Sequence, residues 1–173
     1  AAPSVHWLDS GSLVASAWTM GVAHPPGEPL YLAFARLAQL LPLGDVAFRV
    51  TLLSALCVGL CAPLLLRLAG GGLLSGVLSL AALLGLGAQL QAGRPELYGL
   101  IALILLAALC AAVRGGLMGW AAVGALVGLG LAVHPLLCVA SVPALLWQLW
   151  GAGWQKGLGV AFVTGAGALG TLL

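Results

Sequence analysis

Residues 46–68 read VAFRVTLLSALCVGLCAPLLLRL. Charge is confined to Arg49 and Arg67, near the two ends. An apolar run of about 20 residues is long enough to cross the roughly 30 Å hydrocarbon core of a bilayer as a helix. Arg49, at the start of the run, has two readings: an interface anchor, or a substrate ligand. The rest of the chain has the same character. It is 62% hydrophobic and 6% charged, with a mean hydropathy of +1.18. Soluble domains carry about 25% charged residues. Six basic and four acidic side chains cannot cover a soluble protein of 173 residues. Nor do they form a basic stripe for nucleic acid. The fold class is therefore all-α, a polytopic helical membrane protein.

Working outward, further spans are expected near 73–92, 96–113, 117–133, 135–150 and 157–173, about six with the first. The runs at 117–133 and 135–150 are short, which implies tilted or offset helices. Gly70-Gly71-Gly72, Gly115-Gly116 and Gly151-Ala152-Gly153 mark turns. Upstream, residues 9–22 fit a short helix with Asp9 or Ser10 as N-cap. His24-Pro25-Pro26-Gly27 stops it, because proline removes a donor and restricts its predecessor. Residues 29–41 fit a second short helix, with Leu30, Phe34, Leu37 and Leu41 along one face. Both read as surface helices at the membrane. The expected division is an extracytoplasmic loop over 1–44 and a helical bundle over 45–173. The chain begins at Ala1 and ends inside an apolar run, so it reads as part of a larger protein. Cys57, Cys61, Cys110 and Cys138 lie in apolar helices without metal spacing and read as small buried hydrophobes.

Threading the spans back and forth puts Arg67, Arg114 and Lys156 on one side. Asp9, Glu28, Asp45, Glu96 and the histidines fall on the other, with Arg36, Arg49 and Arg94. The positive-inside rule makes the first side cytoplasmic, so the outer face is the working face. Asp9 is either a plain N-cap or a carboxylate that takes a proton from a hydroxyl nucleophile. His24 either satisfies backbone groups at its turn or meets substrate. Arg94 precedes Pro95 at a helix start, where positive charge is unfavourable unless paired or holding an anion. It is a candidate for a phosphate group. Glu96 at the same start is ordinary helix chemistry or a second acid. Tyr98 can offer a hydroxyl there. His134-Pro135 interrupts an apolar run, and a lone histidine in such a run is a functional candidate.

The stretch WLDSGSLVASAWTMGVAHPPGEPLYLAFARLAQLLPLGDVAFRVTLLSAL (7–56) resembles the transmembrane protein O-mannosyltransferase-like family of the GT-C glycosyltransferase superfamily. The resembling features are Asp9-Ser10-Gly11, His24-Pro25-Pro26-Gly27, Pro29-Leu30-Tyr31 and Ala47-Phe48-Arg49 with Leu53-Ser54-Ala55. QAGRPELYGL (91–100) resembles the family's Arg-x-Glu-x-Tyr segment, and GLGLAVHPLL (128–137) its Gly-Leu-x-x-x-His segment. The resemblance implies a GT-C-like fold, with two surface helices in an outer loop, and a membrane glycosyltransferase that inverts at the sugar carbon. Asp9 would be the catalytic base, with a first span missing upstream. His24, Glu28, Arg49, Arg94, Glu96, Tyr98 and His134 are the candidate substrate-binding residues. The implied donor is a sugar, such as mannose, on a polyprenyl phosphate, and the acceptor a protein Ser/Thr or other hydroxyl. No cofactor is implied, and a divalent metal is left open. The setting would be a bacterial inner membrane or the endoplasmic reticulum, active at the extracytoplasmic or lumenal face. The family usually reads Asp-x-Gly-Glu, whereas this chain has Ser12 in the fourth position. Glu28 departs from the family too, and reads as solvated at the interface or as a replacement carboxylate.

Two other classes stand beside this one. A transporter also places ionisable groups at span ends, but no inverted repeat is visible. A catalytically degenerate membrane scaffold would accommodate Ser12.

Overall fold

A computed structural model of the chain describes residues 9–23, 25, 28–135, 139 and 142–151. Among them all regular structure is helical: α1 (Ser10–Thr19), α2 (Pro29–Gln39), α3 (Val46–Leu68), α4 (Leu73–Leu84), α5 (Leu86–Ala92), α6 (Tyr98–Arg114), α7 (Gly116–Val133) and α8 (Val142–Gly151). The all-α membrane class is borne out. α3 and α7 are long and apolar enough to cross a membrane. The expected span over 73–92 is instead a pair, α4 and α5, bent by 59°. Gly85, extended at ψ 145°, interrupts the helical ladder there. α6 is a shorter apolar helix. The span expected over 157–173 lies outside the described residues, and that over 135–150 lies partly outside.

The chain divides into two compact units, Ala1–Leu103 and Ile104–Leu173. In the first, α1 packs on α2, and both pack on α3. Leu13 and Ala17 of α1 and Tyr31, Leu32 and Ala35 of α2 are buried. Burying a leucine stabilises by about 1.5–3 kcal/mol. The Gln39 amide donates to the Val14 carbonyl at 2.9 Å, and the Arg36 guanidinium lies 4.7 Å from the centre of the Trp18 ring. α1 is shorter than the expected 9–22. Met20, at φ 53°, takes the left-handed conformation that ends a helix.

α3 also packs against α4 and α5. Outward leucines such as Leu56, Leu60, Leu74 and Leu80 are more than half exposed. An apolar surface of that extent suits lipid rather than water. Gly99 lets α6 approach α3: a Cβ there would stand 3.1 Å from the Ser54 carbonyl oxygen. In the second unit, Ala112, Trp120 and Val123 form a buried cluster flanked by Leu109, Ala111 and Val127. A Cβ on Gly119 would meet the Ala111 carbonyl oxygen at 2.7 Å, so only glycine allows that contact.

Candidate active site

The start of α1 fixes Asp9. Its carbonyl accepts from the Leu13 N–H at 2.9 Å and from the Ser12 hydroxyl at 2.9 Å. The backbone of Asp9 is already helical, at φ −86° and ψ −12°, and its side chain makes no cap bond. A capping side chain needs extended backbone to swing back over the first turn. Asp9 therefore holds the N-cap position while its carboxylate, on an exposed residue, does not cap.

Directly behind it lies a polar cluster that the hydropathy pattern does not announce. Ser10, Glu28, Tyr31, Ser54 and Glu96 are all between 0% and 4% exposed. The Ser10 hydroxyl donates to Oε1 of Glu96 at 3.0 Å. The Ser54 hydroxyl donates to the Glu96 carbonyl at 3.0 Å and accepts from the Glu96 N–H at 3.2 Å. Glu96 is thus held by α1 through its side chain and by α3 through its backbone. Burial holds the Tyr31 phenol well above its ordinary range. Ser54 opposes that shift, and the charges of Glu96 and Glu28 add to it. Ser54 lies near the Tyr31 hydroxyl, yet the hydroxyl finds no partner in hydrogen-bond geometry. Tyr31 is accordingly a neutral phenol among two carboxylates.

Glu28 corrects the expectation of a solvated interfacial carboxylate, since it is 1% exposed. It sits at φ 51°, in the left-handed region, directly before Pro29. Such a conformation in a non-glycine residue costs on the order of 1–3 kcal/mol, and strain of this kind concentrates at functional sites. Arg49 is engaged by backbone. Its three guanidinium nitrogens donate to the carbonyls of Leu43 at 2.7 Å, Gln39 at 2.7 Å and Gly44 at 2.9 Å. It closes the α2–α3 connection. Arg94 is half-buried on the turn before α6, next to the fully buried Pro95. Tyr98 is 43% exposed. His134 belongs to the second unit, where its backbone N–H closes α7 on Gly130 at 2.9 Å. His24 lies outside the described residues.

Sequence reasoning named Glu28, Glu96 and Asp9 but missed Ser10, Tyr31 and Ser54 as partners. One signal was available, a hydroxyl residue, Ser54, inside a largely apolar span. The outward stripe of α2 and the facing side of α3 enclose a groove of about 280 Å³, lined by Phe34, Leu37, Leu41, Leu52, Leu53 and Arg49 among others. Among the described residues, no three potential metal ligands of the His, Cys, Asp and Glu types come together.

Residues 9–77 match the family model described as Protein O-mannosyl-transferase TMEM260 N-terminal domain. A relative from Mus musculus, "Protein O-mannosyl-transferase TMEM260", is 46% identical over 84 residues, taking in 43% of this chain and 12% of the relative. The matched part thus spans about an eighth of that relative's length. The resemblance to an O-mannosyltransferase-like family is borne out over this part of the chain. No solved structure matches at a significant level.

Proposed function

We propose that this chain is part of a membrane glycosyltransferase that moves mannose from a polyprenyl-phosphate donor to a protein Ser/Thr hydroxyl, with a GT-C-type architecture. The name of the murine relative supports mannose and a protein acceptor. The observation that carries the chemistry is Asp9, a carboxylate with a fixed backbone that does not cap its own helix.

In this reading the Asp9 carboxylate takes the proton of the acceptor hydroxyl as that oxygen attacks the sugar's anomeric carbon. The bond from that carbon to the lipid phosphate oxygen breaks, and the lipid phosphate leaves with the electron pair. The sugar carbon inverts. General-base assistance of this kind is worth about 10²–10⁴ in rate. The apolar groove between α2 and α3 suits a prenyl chain. Arg49 is bonded to three carbonyls, and Arg94, half-buried on the turn beside Glu96, is a candidate for the phosphate. His24, Glu28 and Tyr98 remain candidates for the sugar and acceptor. Residues 1–44 would form the extracytoplasmic or lumenal loop, and 45–173 the bundle.

The test is mannose transfer in membranes containing the full-length protein, with Asp9→Asn beside wild type at matched expression. Loss of transfer in Asp9→Asn supports the reading, and equal transfer removes Asp9 as the base. Absence of transfer from both favours the degenerate scaffold, the reading that Ser12 supports.

A further inference from the structure

We infer that Glu96 is a positioning residue for Asp9, acting through Ser10, and not a ligand of the substrate. The inference rests on the transferase reading for its catalytic consequence. Its structural part stands on hydrogen bonds between segments far apart in the chain. Ser10 follows Asp9 directly and is the first residue of α1. Its hydroxyl is fully buried and donates to the Glu96 carboxylate across a separation of 86 residues. Glu96 is fixed in turn by both backbone bonds to the Ser54 hydroxyl, across 42 residues. Pro95 beside it is also fully buried. The first turn of α1 is therefore bolted to α3 by way of the turn before α6.

The local bonds to the Asp9 carbonyl fix its backbone relative to α1 only. Packing of Leu13 and Ala17 and the Gln39–Val14 bond hold the body of α1, and the Ser10–Glu96 bond ties its first turn, and with it the exposed carboxylate, to the Arg94–Glu96 turn. A general base must be held within hydrogen-bond reach of the proton it takes, and a 1 Å misplacement can cost about 100-fold in rate. Glu96 is nearly wholly buried, which suits a tether better than a surface that meets a soluble acceptor.

The experiment uses the full-length protein in membranes and compares Glu96→Gln, Glu96→Ala, Ser10→Ala and the double variant Ser10→Ala/Glu96→Ala. Glutamine keeps an acceptor for the Ser10 hydroxyl and removes the charge. The expected result is near wild-type kcat in Glu96→Gln, and a kcat lower by about 10–100-fold in both alanine variants with donor KM unchanged. The double variant is expected to be no worse than either single one. Amide exchange at residues 10–13 is expected to rise in Glu96→Ala and not in Glu96→Gln. The inference is overturned if Glu96→Gln matches Glu96→Ala, if KM rises instead, or if exchange at the start of α1 is unchanged in Glu96→Ala. That last readout needs no activity, so it stands even where transfer fails in wild type, an outcome that sinks the transferase reading alone.

Discussion

Asp45 and Asp9 stand at the N-caps of α3 and α1. Asp45 has extended backbone, φ −85° and ψ 173°, and its carboxylate accepts from the Phe48 N–H at 2.7 Å. Asp9 has nearly the same φ, but ψ is −12°, and its carboxylate makes no cap bond. One torsion separates a carboxylate consumed by its own helix from one that is not. The surroundings differ in the same direction. The α3 start is fixed locally, with Asp45 capping and Arg49 three residues inside bonding to the preceding loop. The α1 start adds to its local Ser12 bond a tie from a distance, to Glu96. A helix start secured by its own residues reads as structural.

The largest expected effect tests that contrast directly. Asp9→Asn should lower mannose transfer by about 10²–10⁴, while Asp45→Asn should leave it within about 3-fold, since its cap bond touches stability and not chemistry. Equal losses at matched folded protein, measured by initial rates, would break the comparison. Next in size is Arg49→Ala. Losing charge-assisted bonds to three carbonyls should destabilise by about 2 kcal/mol, read as a fall in the thermal midpoint in detergent. Arg49→Lys should not restore it, because one ammonium lacks the planar fork. Full recovery by lysine would show that charge, not geometry, holds the loop.

A smaller effect sharpens the two caps. Asp45→Ala should cost about 1 kcal/mol of stability through the loss of its cap bond, a contribution that Asp9→Ala does not carry, by the same thermal measurement. The smallest effect belongs to Tyr31→Phe. Its hydroxyl is buried without a partner in good geometry, so removing it should change stability by less than about 0.5 kcal/mol or raise it slightly. A loss above about 1 kcal/mol would mean that the hydroxyl has a partner after all.

Much of the frame was legible along the chain. The first span runs over Val46–Leu68 as its apolar run implied. Asp9 and Asp45 are helix starts, and Gly115 precedes α7. These follow from local rules: apolar length, capping residues and glycine punctuation act within a few residues of where they are written. The bend at Gly85 was less legible, because one glycine in a leucine-rich run is tolerated in many helices. Glu28 was misjudged for a related reason. A charged residue after a proline turn has the local look of a solvated one, and its burial depends on what α2 is packed against.

By itself, then, the sequence determined the membrane class, the order of the helices and which acids stand near helix starts, since each is set by composition or by neighbours within a turn or two. The tertiary structure alone decided that Ser10, Tyr31, Ser54 and Glu96 meet, that Glu28 is buried with them, and that the carboxylate of Asp45 caps its helix while that of Asp9 does not. Hydrogen bonds across 42 and 86 residues leave no periodic trace along the chain. They form because buried polar groups are costly to leave unpaired, and the packing of α1 and α3 against the turn before α6 brings Ser10 and Ser54 within reach of Glu96.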